Sequence, residues 1–224
     1  LSLFVYIFGQ NSTKIHNDFY HLSPFHNSFA IPNKNYILRR MNIEKHAHKP
    51  KLEGRVPANT LVLVLGLPGS GKTTFAKALS ERINALHLNS DIVRTQLNKR
   101  GQYSEQTKIM IYDQMCEQTY QALKNGETVI VDATFYKQML RNRFIDIATK
   151  LNVPYKLINI RAKTHTIKKR MNTEREHSEA DFSVYQSIKE QFEPIEEPFL
   201  AISSEELSLE EMTQYAQQYI NESA

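Results

Sequence analysis

Residues Gly66 to Thr73 read GLPGSGKT, and the stretches on either side of them leave little choice of fold. The segment satisfies the pattern G-x-x-x-x-G-K-[ST] at every specified position. Ahead of it, Thr60 to Leu65 (TLVLVL) is a short apolar run of the kind that forms a strand covered on both faces. Behind it, Phe75, Ala76, Leu79 and Ile83 fall on one face of a helix predicted over Thr73 to Ile83. Glycines at 69 and 71 let the backbone curl so that successive N–H groups, that of Ser70 among them, point inward around phosphate oxygens. The helix N-terminus adds its partial positive charge. Lys72 has the reach for the β- and γ-phosphates, and the Thr73 hydroxyl suits one position on Mg²⁺. Gly69, Ser70, Gly71, Lys72, Thr73 and Thr74 are therefore expected to seat ATP with Mg²⁺. A glycine turn that binds nothing is the plain alternative, and the match of motif with both flanks weighs against it.

The rest of the chain continues the alternation of strand and helix. Further strands are predicted at Leu86 to Asn89, Thr128 to Val131, Tyr155 to Ile160 and, more weakly, Phe199 to Ile202. Helices are predicted over Gln106 to Lys124, stopped by Asn125-Gly126, through Arg143 to Lys150, and over the basic stretch Lys163 to Glu176. Val184, Ile188 and Phe192 mark another helix, closed by Pro194. Ser208 and Glu211 form a capping box for a last one that carries Met212, Tyr215, Ala216 and Tyr219. Strands alternating with helices of this length give βαβ units around a parallel sheet, so the fold class is α/β.

Residues 1–58 read differently. They hold five of the eight His and no clear period, and the first Met is Met41. They are expected to be an irregular extension and linker, with residues 1–40 a poorly ordered tail or sequence upstream of the natural start, ahead of a domain over 59–224. They also carry eight Lys/Arg against three Asp/Glu, while residues 59–224 carry twenty against twenty-one, so the net charge of +4 arises outside the domain. Overall charge is thus poor support for a nucleic-acid partner. Within the domain the charge is polarised: eighteen basic against eight acidic over 59–173, two against thirteen over 174–224. A basic part that collects phosphates beside an acidic one fits this division. One cysteine, Cys116, excludes an internal disulfide framework and agrees with a reducing compartment, so a cytoplasmic location is expected. No apolar run approaches the roughly 18 residues of a membrane span.

Phosphate loops serve many reactions. No N-K-x-D guanine motif follows, since Asn98-Lys99 runs on into Arg100-Gly101, and no L-S-G-G-Q segment suggests a transporter ATPase. The domain is also short for a motor ATPase, and a kinase acting on a hydroxyl group fits best. Asp91 and Arg94 follow the second strand, at the carboxyl edge where parallel sheets bind ligands. Asp91 suits the proton of an attacking hydroxyl, with Arg94 one turn on for phosphate or substrate; alternatively Asp91 caps a helix. Asp132 ends the third strand, the place for a carboxylate that meets Mg²⁺ through water. Arg141 or Arg143 faces the acceptor or, rather, solvent. Arg170 first and Arg175 second suit a lid arginine that stabilises charge on the transferred phosphoryl group. A nucleotide-dependent switch or regulatory ATPase is the rival reading.

GLPGSGKTT, Ser90-Asp91-x-x-Arg94, VIVDAT at 129–134 and the arginines after the fourth strand resemble the P-loop kinases related to the polynucleotide 5′-hydroxyl kinase domain, a group that shades into zeta-toxin and chloramphenicol phosphotransferase types. Ser178 to Asp181 and Gln191 to Pro194 are similar to family segments that follow the lid. The resemblance implies a five-stranded parallel sheet in the order 2-3-1-4-5 with helices on both faces. It also implies Lys72 and Thr73 at ATP–Mg²⁺, Asp91 as general base, Arg94 near the acceptor and Arg170 or Arg175 on the lid. The acceptor stays open between a small metabolite and a polynucleotide end, with a toxin-like sugar-nucleotide kinase as a further alternative; the sequence shows no clear platform for stacking bases.

Overall fold

The computed structural model describes residues 59–171 and 182–222. Five parallel strands form one sheet: β1 Leu61–Leu65, β2 Leu86–Asn89, β3 Val129–Asp132, β4 Tyr155–Arg161 and β5 Phe199–Ser203, in the order β2-β3-β1-β4-β5. The expected order and class are therefore those observed. Seven helices are described: α1 Lys72–Ile83, α2 Ser90–Gln96, α3 Glu105–Lys124, α4 Gln138–Lys150, α5 Thr164–Met171, α6 Phe182–Glu190 and α7 Leu209–Asn221. The expectations for residues 1–58, for the end of the basic helix at Glu176, for Arg175 and for Ser178 to Asp181 lie outside the described residues.

The centre of the sheet explains why β1 reads as an unbroken apolar run. Leu61, Leu63 and Leu65 pack with Ile111, Met115, Phe144 and Leu157 on one side, and Val62 and Val64 with Phe75, Leu79, Ile158 and Ala216 on the other. All five β1 side chains are completely buried. At roughly 1.5–3 kcal/mol per buried aliphatic side chain, this strand alone is a large part of the favourable energy that offsets chain entropy. Parallel register brings the carboxyl ends of the strands level: Val64 pairs with Asp132 and Ile158, and Asn89 with Asp132. The polar residues that end the apolar runs are thereby gathered along one edge, where α1 and α2 begin. On the opposite flank Arg82 of α1 meets Glu210 at 3.1 Å and Gln217 of α7 at 2.8 Å, one point where the basic and acidic parts of the domain come together.

Gly66 is needed for space. Its φ is 149°, and a Cβ there would lie 2.4 Å from the carbonyl oxygen of Ile160 on the neighbouring strand. Backbone on both sides of that clash cannot shift without breaking the β1–β4 pairing. Gly66→Ala is therefore expected to lower stability by about 2–4 kcal/mol in urea denaturation; a loss under about 0.5 kcal/mol, the level of an ordinary surface substitution, would mean that the strands yield there.

Cys116, on α3, is half-buried, and burial pushes its thiol up to about 11. At pH 8 only about one molecule in a thousand then holds a thiolate. Alkylation should be far slower than that of free cysteine at pH 8 and keep rising tenfold per pH unit above pH 9, where a free thiol levels off. A plateau at pH 9 contradicts this.

Candidate active site

The loop between β1 and α1 closes through positive backbone φ at Gly69 (79°) and Gly71 (93°). Gly71 is the N-cap of α1, with no side-chain cap and no acidic residue in the first turn. By contrast α2, α3 and α7 are capped by Asn89, Ser104 and Ser208. The free N–H groups at the start of α1 are thus left for an anion, with Lys72 in the first turn. Ser70 is buried, and its N–H donates to the Leu67 carbonyl at 3.1 Å. Thr74 lies on the exposed side of the same turn.

Behind the loop lies a polar knot centred on Asn89, a residue the sequence reading passed over as a strand end. Its Oδ1 accepts from the N–H groups of Asp91 (2.9 Å) and Ile92 (3.0 Å). Its Nδ2 donates to Asp132 Oδ2 at 2.6 Å and to Thr73 Oγ1 at 3.3 Å. One amide therefore caps α2 and joins the two residues expected near Mg²⁺. Asp132 is completely buried, with His87 Nε2 3.4 Å from Oδ2. Its Oδ1 has no hydrogen-bond partner, which in a buried carboxylate marks a place for a water or a cation. The residues present thus fit Mg²⁺ held by the Thr73 hydroxyl and, through water, Asp132. No group of three or more His, Cys, Asp or Glu gathers for a metal among the described residues. Asn immediately before a helix start is a recognised N-cap signal and would have found this residue.

Asp91 does not cap α2, because Asn89 does. It lines a cleft of about 330 Å³ together with Lys72, Arg94, Tyr103, Lys108 and Tyr136. Arg94 is nearly buried; its Nη1 donates to the Gln102 carbonyl and its guanidinium lies 4.6 Å above the Tyr103 ring, while Nε has no partner. It is thus tied to the loop after α2 as well as facing the cleft. Lys108 and Lys137 stand 5.7 and 5.5 Å over the Tyr136 ring. Tyr112, whose phenol burial pushes above its ordinary value, accepts from the Phe135 N–H at 3.4 Å and forms the floor. The aromatic, basic wall that the sequence did not reveal is therefore present, assembled from α2, the loop after it, α3 and the segment after β3.

Two arginines depart from expectation. Arg141 is neither at the surface nor at the cleft: it is completely buried and donates to the carbonyls of Phe135 (2.9 Å) and Pro194 and to Gln138. Burial pulls its guanidinium below the ordinary value, against the pull of Glu197, Glu193 and Glu196. It braces the start of α4 against the segment after α6. Arg143 pairs with Asp113 of α3. Arg170, expected on a lid, is bound here to the phosphate loop and to the turn after β5. Its Nη1 lies 2.8 Å from Ser204 Oγ and 3.2 Å from the Ser70 carbonyl, and Nη2 lies 3.1 Å from the Ser204 carbonyl. Ser204 Oγ itself donates to the Ser70 carbonyl at 2.7 Å. Arg170 thereby clamps the phosphate loop to the turn after β5.

A family model described as an AAA domain matches residues 61–195. The chain belongs to this P-loop family. Its relatives give the family its kinase character. The chain is 32% identical over 117 residues to L-seryl-tRNA(Sec) kinase of Methanococcus maripaludis, covering 51% of this chain and 46% of that protein. It is 28% identical over 141 residues to the bifunctional polynucleotide phosphatase/kinase of Schizosaccharomyces pombe, covering 60% and 29%. The matches thus span less than half the length of these curated relatives. Among solved structures, the APS kinase of Mycobacterium tuberculosis in complex with AMPPNP and APS superposes with a TM-score of 0.59 at 15% identity, covering 74% of this chain and 99% of that one, a likeness of fold. In this P-loop kinase family member, no helix among the described residues is long and apolar enough to cross a membrane.

Proposed function

We propose that the chain moves the γ-phosphoryl group of ATP onto a hydroxyl of an acceptor held in the cleft between the phosphate loop, α2 and α3. The observation that carries this reading is that Lys72 of the phosphate loop and Asp91 of α2 line one and the same cleft. A phosphate-binding ammonium and a carboxylate facing a common space are what an in-line transfer to an alcohol requires. Asp91 takes the acceptor proton as the acceptor oxygen bonds to the γ-phosphorus and the bond to the β–γ bridging oxygen breaks, releasing ADP. Lys72 and the N–H groups at the start of α1 hold the phosphates; Thr73 and Asp132 are the residues for Mg²⁺. The ion supplies charge neutralisation across the phosphates. Arg170, clamped to Ser70 and Ser204, keeps the loop in shape, and Arg175 stands as the candidate for lid chemistry.

The cleft also bears on the acceptor. Arg94 and Lys108 beside Tyr103 and Tyr136 favour a substrate with a negative charge and a flat portion over a neutral sugar. The relatives named as acting on seryl-tRNA and on polynucleotides agree with such an acceptor. ATP consumption and phosphate transfer should be measured over 5′-hydroxyl oligonucleotides, nucleoside 3′-phosphates and neutral sugars. Transfer to the anionic compounds is expected. Hydrolysis stimulated only by a protein, with transfer to none of these, would replace the kinase by a nucleotide-dependent switch.

A further inference from the structure

Two polar side chains near the end of β4, Asn159 and Arg161, line a common cavity. Asn159 and Arg161 are two residues apart in the strand, so both project from the face that carries Leu157 and Phe199. Asn159 is 7% exposed, yet its amide makes no hydrogen bond among the described residues. The Arg161 guanidinium lies 5.6 Å over the Phe199 ring and meets no carboxylate among the described residues. Burial alone pushes it below its ordinary value. An amide without a hydrogen-bond partner and a partly buried guanidinium without a carboxylate, on adjacent same-face positions of one cavity wall, leave donors available to an occupant.

Both border a cavity of about 320 Å³ between the end of β4, Leu67 and Ser70 of the phosphate loop, α5 and α6. Ile167, Tyr185 and Phe192 give it an apolar wall, and Lys163 and Lys189 stand at its rim; among the described residues that line it none is acidic. The rim is ordered by contacts of its own. Thr164 Oγ1 lies 3.0 Å from the Tyr185 hydroxyl, and Lys189 Nζ lies 3.4 Å from Thr164 Oγ1 and 5.8 Å over the Tyr185 ring. The volume is at the lower end of small-molecule pockets, about 300–1,000 Å³.

We propose that this cavity is a second binding site, for a small compound with an apolar body and one oxyanion, the oxyanion on the Arg161 guanidinium and the Asn159 amide. A guanidinium and an amide N–H on adjacent same-face positions offer donors to a carboxylate or a phosphate, and the body lies against Tyr185 and Phe192. The site is distinct from the acceptor cleft, and α6 is the wall between them: Tyr185 and Lys189 face the cavity, whereas Ser187 and Ile188 line the cleft with Asp91. An occupant therefore acts on the acceptor side of the molecule, as an effector; this last clause rests on the kinase reading, while the binding itself does not.

The test is isothermal titration of the full chain with benzoate and, separately, with phenyl phosphate. At least one probe should bind at one per chain, within twofold as tightly to Lys72→Ala, and at least tenfold more weakly to Arg161→Leu. Tighter binding of benzoate assigns a carboxylate ligand, and tighter binding of phenyl phosphate that survives Lys72→Ala assigns a phosphate. Should Arg161→Leu fail to fold, the exposed Lys189→Ala carries the same test, with at least threefold weaker binding expected. No binding of either probe, equal binding to the wild type and the cavity variants, or loss in Lys72→Ala overturns the proposal. Retained cavity binding in a chain that transfers phosphate to nothing would overturn the kinase reading alone.

Discussion

Asp91→Asn is expected to lower kcat by about 10²- to 10⁴-fold while leaving the affinity for ATP nearly unchanged. The amide keeps the size of the carboxylate but cannot take the proton of an attacking hydroxyl at neutral pH. Folding should survive, because the cap of α2 comes from Asn89 through the N–H groups of Asp91 and Ile92 and not from the Asp91 side chain. The substitution also removes a favourable charge from the first turn, worth about 0.3–1 kcal/mol. Equilibrium ATP binding, thermal melting and single-turnover kinetics together separate the outcomes. An unchanged kcat removes Asp91 as general base; a lost kcat together with lost ATP binding would place its role in the nucleotide site instead.

The frame of this molecule was legible because it is written locally. The apolar run of β1, the glycine turn and the face of α1 lie within two dozen residues, and each period reports its own element. Helix ends were read within a few residues where a cap is local, as at Ser208 and Glu211. The site was legible only where its residues come from the strand ends themselves. Arg141 shows the limit: in sequence it is a charge in an amphipathic helix, and nothing nearby announces that its partners at Glu193 and Pro194 arrive 52 and 53 residues later. Tyr103 and Tyr136 likewise line one cleft only because β3 enters the sheet between β2 and β1. The same topology sets Asn159 and Arg161 on one cavity with α6, whose residues lie more than twenty positions on. Asn89 differs from these, since its capping role was visible in principle and its bridge to Asp132 was not.

That bridge is best tested by Asn89→Ser. Serine is as good an N-cap as asparagine, so α2 keeps its start. Its shorter side chain cannot also donate to Asp132, and the buried carboxylate then loses its 2.6 Å donor while Oδ1 already has none. Leaving a buried acceptor without its donor costs about 1–3 kcal/mol, a loss that urea denaturation will show. The same change frees Thr73 Oγ1 from its 3.3 Å contact, so the hydroxyl and the carboxylate are no longer held on one amide. The Mg²⁺ concentration for half-maximal ATP turnover should accordingly rise several-fold. Asn89→Asp sharpens the argument, because it also keeps the cap but sets a second carboxylate against Asp132. Without Mg²⁺ it should be less stable than the serine variant, and added Mg²⁺ should restore part of the difference. Serine and aspartate variants as stable as the wild type, with the same Mg²⁺ dependence, would show that Asn89 serves α2 alone.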